Sequence, residues 1–376
     1  MRLYIKYGIY CENIDVTKVC YEKCIKNNTL IIPKGVNERG ILFGDPKQGL
    51  VKSIFTILDG NITEYKDNEL DLYISNINNY IYLYPICFSF PKEKIVETIC
   101  KKTKLLSNLI PGNLSTYIYK NEKDYYNEYQ NSMFAITCKK AGWDCMRHYE
   151  ILGNGCIPYF IDIENCPYHT MELLPKDDLY RANQLYNKYK TCNINDLTHE
   201  EYQECIYFIN HLVNYTKNNL TTEKIAKYIL NITNNNKVDK ILYLSGNTGP
   251  DYLRCLTLHG FKQIFGTQCH DYPKIQHIYK ENIDFHILYG KGITYTNLLE
   301  TNLHDDLYDS NIELDIREKK YDIIIYGSYH RGMPFFDLVK QHYENSKIIL
   351  LCGEDCHQCD YWNYLEKGHK VFVREL

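Results

Sequence analysis

The chain has no run of eighteen apolar residues. Its best candidate, Ile81 to Phe90, is short and holds a proline. A membrane-crossing helix needs about 20 apolar residues, so none is expected. No basic-then-apolar leader opens the sequence, so no secretion is expected either. Basic excess is also missing. The 43 Lys and Arg stand against 47 Asp and Glu, a net charge of −4. That excludes the electrostatic footprint of a nucleic-acid binder. No G-x-G-x-x-G follows a strand, which removes the usual dinucleotide loop. Cysteine is plentiful, at 16, but without the spacing of a disulfide framework. In the absence of a leader these are expected to be reduced thiols in a cytoplasm-like compartment. The N-x-[ST] sequons at Asn27, Asn61 and Asn231 are then products of an Asn-rich composition.

What is present begins with tyrosine, 37 of 376 residues, alongside abundant Asn, Ile and Lys. These residues share A/T-rich codons, so genomic base bias accounts for them and single tyrosines carry little functional weight. Apolar content of 44% and charged content of 24% are those of an ordinary globular protein. The length predicts two or three domains.

Three blocks are expected. Residues 1–68 read as a small β-rich segment, with strands at Leu3–Tyr7, Thr29–Ile32 and Ser53–Leu58, a turn at Asp59-Gly60-Asn61 and a loop over Asn37–Pro46. Residues 69–235 alternate strands and helices: a buried strand over Tyr80–Phe88, a helix over Pro91–Leu106, a Tyr-rich core helix over Glu122–Asn131, then helices at 177–190 and 198–232. Asn234-Asn235-Asn236 reads as a linker. Residues 236–376 restart with Lys240–Leu244, a helix over Tyr252–His259, and strands at Ile264–Gly266, Phe285–Tyr289, Tyr321–Tyr326 and Lys347–Leu351. The fold class is α/β with parallel sheets covered on both faces.

The densest chemistry runs from Ser132 to Pro158. A short strand, Phe134 to Ile136, leads into a loop with Lys139, Lys140 and Gly142. Asp144 stands where a helix N-cap is wanted. Arg147 and Glu150 are three apart on one helix face, and Gly153 and Gly155 end that helix before the strand Cys156–Ile161. A helix N-terminus preceded by Gly and Lys suits an anion. Arg147 could take a phosphate, and Glu150 a ribose hydroxyl.

This segment resembles the sugar-donor site of exostosin-like glycosyltransferases, on Ser132, Gly142, Arg147, Glu150 and Gly155-Cys156-Ile157-Pro158. The resemblance implies two Rossmann-like domains facing across a cleft (GT-B-like), with 69–235 as the donor-binding domain and 236–376 as the acceptor side. It implies an inverting enzyme whose donor is a nucleotide-diphosphate sugar, UDP-linked, with Arg147 on the diphosphate and Glu150 on the ribose. The acceptor would be a glycan, a glycoprotein or another hydroxyl, and no cofactor is expected. A homo-oligomer is left open. The family's animal members usually carry an anchor. Its absence here, with the base bias, suggests a large DNA virus or an AT-rich microbe, and thus host cytoplasm if viral.

Inverting transfer needs a base for the acceptor hydroxyl and positive charge for the departing diphosphate. Lys139, Lys140, Arg147 and the helix N-terminus near Asp144 can do the second. No D-x-D stands at a strand end in the donor block, so no metal is expected there. Base candidates are His330, Glu354 and Asp355 at predicted strand ends, His357 beside them, and Asp45 in the first block, where Arg39 could join an acceptor site. Ligands gather outside the carboxyl ends of parallel strands, so Ser245-Gly246-Asn247, Gly327–Gly332 and Cys352–Asp355 should line one edge. Cys352-x3-Cys356-x2-Cys359 has the spacing of an iron–sulfur loop, but too little chain follows to build a barrel after it. A zinc site with His357 is awkward because Cys356 and His357 are adjacent. Two alternatives stand beside the transferase: a non-catalytic sugar- or nucleotide-binding protein, and a nucleotide-sugar-modifying or methyl-transfer enzyme on the last block.

Overall fold

The computed structural model describes residues 3–375 except 11, 28, 59–60, 67–70, 78–83, 168, 282–286 and 356–360. The chain forms two compact units, Met1–Tyr84 and Pro85–Leu376.

The first unit is β-rich, as its alternating patterns imply. Strand Leu3–Ile9 pairs antiparallel with Glu12–Asp15 and with Ser53–Leu58, and Asn61–Lys66 pairs on the far side of the latter. Leu3, Ile5 and Tyr7 are buried while Tyr4 and Lys6 are half-buried, the period of two that a one-sided sheet requires. A second antiparallel sheet joins Ile25–Lys26, Thr29–Ile32 and Leu72–Ser75. The expected turn at Asp59-Gly60 lies outside the described residues. The loop expected over Asn37–Pro46 is instead largely the helix Val36–Phe43. Arg39 anchors it: the side chain is buried, and its Nε donates to the Pro33 carbonyl at 2.6 Å.

The second unit holds two parallel sheets, which makes this unit α/β. The smaller has Ser132–Cys138 at its centre, between Lys104–Leu106 and Ile157–Ile161. The larger runs Cys269–Tyr272, Ile241–Ser245, Ile323–Gly327, Ile348–Cys352, Lys370–Val373, with the two-residue strand Tyr84–Pro85 at its far edge. The first five of these strands are mutually parallel. Taken in chain order they run 2-1-3-4-5, so the winding reverses between Ile241–Ser245 and Ile323–Gly327. Ile241–Ser245, Ile323–Gly327 and Ile348–Cys352 are buried at every position. Continuous apolar strands of this kind belong to a sheet with helices on both faces.

Several expected elements are placed differently. Pro91–Leu106 is not a helix. It holds a single 3-10 turn, Lys92–Lys94, and the strand Lys104–Leu106. Its apolar residues satisfy distant elements instead: the Val96 N–H donates to the Gly153 carbonyl at 2.9 Å, and Ile99 packs over Gly155. Ile264–Gly266 is not a strand. The helix Tyr252–Phe265 runs on through it and stops at Gly266, whose φ of 54° needs glycine; the strand follows at Cys269–Tyr272. Of Phe285–Tyr289, the first two residues lie outside the described set, and Tyr289–Gly292 is a 3-10 turn. Of Tyr80–Phe88, residues 80–83 lie outside it, and only Tyr84–Pro85 is strand. The helix expected over 198–232 is two, His199–Asn219 and Thr222–Ile232, the second capped by Thr221 accepting from the Lys224 N–H. Asn235, read as linker, is buried and bonded to Thr233 and Lys347.

Candidate functional site

Strand Ser132–Cys138 and helix Met146–Gly153 bracket the basic loop, as the sequence implies. The cap is different. Cys145, not Asp144, is the N-cap, and no side chain bonds there. Asp144 turns inward, accepting from the Phe88 N–H at 2.8 Å and the Tyr149 hydroxyl at 2.7 Å. Burial pushes its carboxyl up to about 7.

Gly142 is required by a neighbour: a Cβ there would overlap the Glu375 carboxylate. That carboxylate accepts from the N–H groups of Trp143 and Asp144, both at 2.9 Å. Arg374 clamps it, with Nη1 at 2.7 Å from Glu375 and 2.6 Å from the Asp144 carbonyl. The loop amides expected to meet a diphosphate are therefore already filled by a carboxylate of the chain itself. Positive side chains, not these amides, must carry any anion bound here.

Arg147 is placed for that. Its Nη1 is buried without a hydrogen-bond partner. It makes no salt bridge among the described residues, and its strongest electrostatic neighbours are Tyr117, Tyr129, Cys145 and Tyr125. A guanidinium stays charged at any working pH, and the Tyr117 hydroxyl and the Glu150 carboxylate act on it, so this is a partly buried positive charge without a salt-bridged partner among the described residues. Glu150 is buried one turn on. Its Oε2 accepts from the Tyr125 hydroxyl and its Oε1 from the Thr294 hydroxyl, both at 2.7 Å. Burial raises its pKa. Tyr125, Tyr126 and Tyr129 of helix Glu122–Gln130 are buried, the core packing expected of that stripe. Lys139 lies over the Trp143 ring at 5.1 Å. Lys140 donates to the Tyr289 hydroxyl at 2.7 Å, and Lys291 to the Tyr119 carbonyl at 2.7 Å. None of these three lysines pairs with a carboxylate among the described residues. Ser132 stands apart from the loop: it is fully buried, and its hydroxyl donates to the Glu128 carbonyl at 2.7 Å.

The larger sheet presents its carboxyl edge to the same loop. Arg374 makes the join, since its Nη2 donates to the Gly353 carbonyl at 3.0 Å and to Asp355 while Nη1 reaches Asp144. Asp355 is therefore half of an ion pair. Glu354 is half-buried, and its Oε2 has no hydrogen-bond partner. On the neighbouring strand end, Ser328 has a left-handed φ of 54° and a buried hydroxyl without a partner. The Ser328 hydroxyl lies beside Gly353, within 3.2 Å of where a Cβ would stand. His330 follows in the 3-10 turn Tyr329–Arg331, with Nδ1 buried and unbonded. The turn is tied down by Arg331 on Asp251 at 2.8 Å. Gly246 completes the edge, because a Cβ there would strike the Arg331 and Gly332 backbone. Polar side chains without partners thus gather beside the winding reversal. Cys352 is buried, while Cys356, His357 and Cys359 lie outside the described residues. Asp45 belongs to the first unit, where it is exposed and pairs with Lys52 at 2.6 Å.

The structure brings Lys139, Lys140, Gly142, Arg147 and Glu150 together on one loop and helix, and sets Asp355 against that loop through Arg374. Sequence reasoning missed Arg374, Glu375, Lys291 and Thr294. For the first two a signal exists: two charges directly follow the apolar strand Val371–Val373. For the others the signal is absent, since their partners are more than a hundred positions away. Chemically, the loop offers cationic charge for a phosphate, and the sheet edge offers an imidazole and a carboxylate for proton transfer. No family model, no curated protein and no solved structure matches the chain.

Proposed function

We propose that the chain is a glycosyltransferase that holds a nucleotide-diphosphate sugar against Arg147 and passes the sugar to a glycan or other hydroxyl acceptor. One observation carries the reading: the Arg147 guanidinium, beside the Tyr117 hydroxyl and near Glu150, keeps a buried Nη1 without a hydrogen-bond partner and makes no salt bridge among the described residues. Lys139 and Lys140 on the preceding loop reinforce the charge. A phosphate supplies the missing acceptors and the missing negative charge together. The exostosin-like order of residues from Ser132 to Pro158 supports the class of donor. On this reading the two parallel sheets serve as the Rossmann-like halves of a GT-B-like enzyme. The sheet edge at His330 and Glu354 then supplies the base, and transfer inverts the sugar carbon without a metal at the diphosphate. Every cysteine among the described residues is a free thiol, which accords with a cytoplasmic setting.

The test is calorimetry with UDP and other nucleoside diphosphates. A charge-assisted contact to phosphate is worth ~1.5–3 kcal/mol, so Arg147→Ala should weaken binding roughly ten- to 150-fold. Glu150→Gln should weaken it less, because Tyr125 and Thr294 already hold that carboxylate. Unchanged affinity in Arg147→Ala removes the donor site. A second reading, a nucleotide-modifying or methyl-transfer enzyme on the larger sheet, is favoured by the unbonded Ser328 hydroxyl beside the winding reversal. It requires affinity to fall in Ser328→Ala and not in Arg147→Ala.

A further inference from the structure

We propose that His304, Asp306 and Asp309 bind one divalent transition-metal ion, at a site separate from the nucleotide reading above. The three side chains offer ligand atoms that all lie within 4.8 Å of one another. Asp306 and Asp309 lie in the first turn of helix Asp306–Arg317, and His304 just precedes its N-cap, Asp305. Carboxylates are welcome at any helix N-terminus, so Asp306 and Asp309 alone would mean nothing. The histidine is the independent observation. Its side chain is 1% exposed. Its Nε2 is buried without a hydrogen-bond partner. That nitrogen lies 3.3 Å from Asp306 Oδ1 and 3.4 Å from Asp309 Oδ2.

These spacings fit a shared ion. Bonds of about 2.1 Å meeting near a tetrahedral angle put neighbouring ligand atoms about 3.4 Å apart. The surroundings also fix the donors. His304 Nδ1 lies 3.1 Å from Asp271 Oδ1, so in the neutral ring Nδ1 keeps the proton and Nε2, set between the two carboxylates, is the ligating nitrogen; an ion would bind there by displacing the Nε2 proton that these carboxylates favour. Asp271 is itself held by Lys262 at 2.7 Å and by the Tyr279 hydroxyl at 2.8 Å. His270 Nε2 bonds Asp309 Oδ1 at 3.0 Å, leaving Oδ2 for the ion. This buried outer layer, oriented through Asp271, is what a metal-binding histidine normally has. Asp306 is 91% exposed, so the ion can enter from solvent and water can complete its shell. One imidazole and two carboxylates suit Mn²⁺ or Zn²⁺ better than Mg²⁺. Bound there, the ion would tie the Asp306–Arg317 helix to the edge strand Cys269–Tyr272 through His304 and Asp271.

The probe is Mn²⁺, because sixteen cysteines would compete for Zn²⁺. Full-length protein should take up one equivalent, read by calorimetry and by loss of the free Mn²⁺ electron-spin signal. Saturating Mn²⁺ should raise the melting temperature. Asp306→Asn and Asp309→Asn should each weaken Mn²⁺ binding at least tenfold. Asp306 is exposed, so that variant should melt at the wild-type temperature without metal. The proposal falls if wild type takes up no stoichiometric Mn²⁺, or if both variants bind it as wild type does.

Discussion

His330 shows how much one side chain can be asked to carry. Its Nδ1 is buried without a partner, in a turn that starts from the left-handed Ser328 and is pinned by Arg331 on Asp251. Imidazole is the side chain best matched to proton removal near neutral pH. If His330 is the transferase base, His330→Asn should cut turnover by ~10²-fold or more while nucleotide affinity stays within twofold of wild type. A loop prop would behave otherwise, lowering the melting temperature first. Near-normal turnover hands the role to Glu354, since Asp355 is engaged by Arg374. Residue types in order, such as Arg147 and Glu150 three apart, were legible in the sequence. What their polar atoms bond was not. Ser132 and Asp144 both looked available, and both spend their oxygens on partners inside the unit. The His304 site has a short local signature, H-x-D-x-x-D. The Asp271 that orients its histidine lies 33 positions away.

At the scale of elements, strands with both faces buried were the easiest to read. Ile241–Ser245, Ile323–Gly327 and Ile348–Cys352 announce themselves as apolar runs. Segments whose apolar residues serve distant partners were misread, as Pro91–Leu106 shows. Close packing of helices was also invisible. Gly260, in helix Tyr252–Phe265, lets that helix lie against Thr222–Ile232. A Cβ there would overlap the Thr222 carbonyl and come within 3.2 Å of the Ala226 Cβ. Two effects compete in Gly260→Ala. Alanine gains about 1 kcal/mol of helix propensity over glycine. Forcing extra volume into a packed interior costs about 1–3 kcal/mol. The obstacle is a backbone carbonyl, which cannot swing aside like a side-chain tip, so overlap should win. Gly260→Ala should melt lower, by about 2–4 °C per kcal/mol of net loss. A variant that melts at or above the wild-type temperature shows that the two helices can part freely.

For the Pro85–Leu376 unit as a whole, burial of titratable groups sets how stability follows pH. Four buried histidines are held neutral by desolvation, His148 and His259 down to about 3, His277 and His369 down to about 4. Once unfolded, each takes up a proton near its ordinary value of about 6.5. Between pH 4 and 6.5 the unfolded chain therefore binds more protons at these sites than the folded one. Stability from them is present above 6.5 and lost as the pH falls. Asp144 works the other way. Its folded value of about 7 lies above the unfolded carboxyl, so the folded state holds the extra proton and loses stability as the pH rises toward 7. Burial also raises Glu150 and Glu375, with the same sign. His270, also lowered by burial, adds to the four, whereas His304, buried yet raised by Asp271, opposes them chiefly near and above its ordinary value. The lowered imidazoles outnumber the three raised carboxyls, so unfolding free energy should rise with pH from 4 to 6.5. Both tryptophans, Trp143 and Trp362, lie in this unit, so their fluorescence follows its denaturant unfolding. Asp144→Asn removes one opposing group and should make the rise steeper, with the larger gain over wild type at pH 7 than at pH 4. A wild-type stability that is flat or falls from pH 4 to 6.5 would mean the histidines are not held neutral. A variant parallel to wild type across that range would mean that Arg374 and the Tyr149 hydroxyl keep Asp144 ionised in the folded protein.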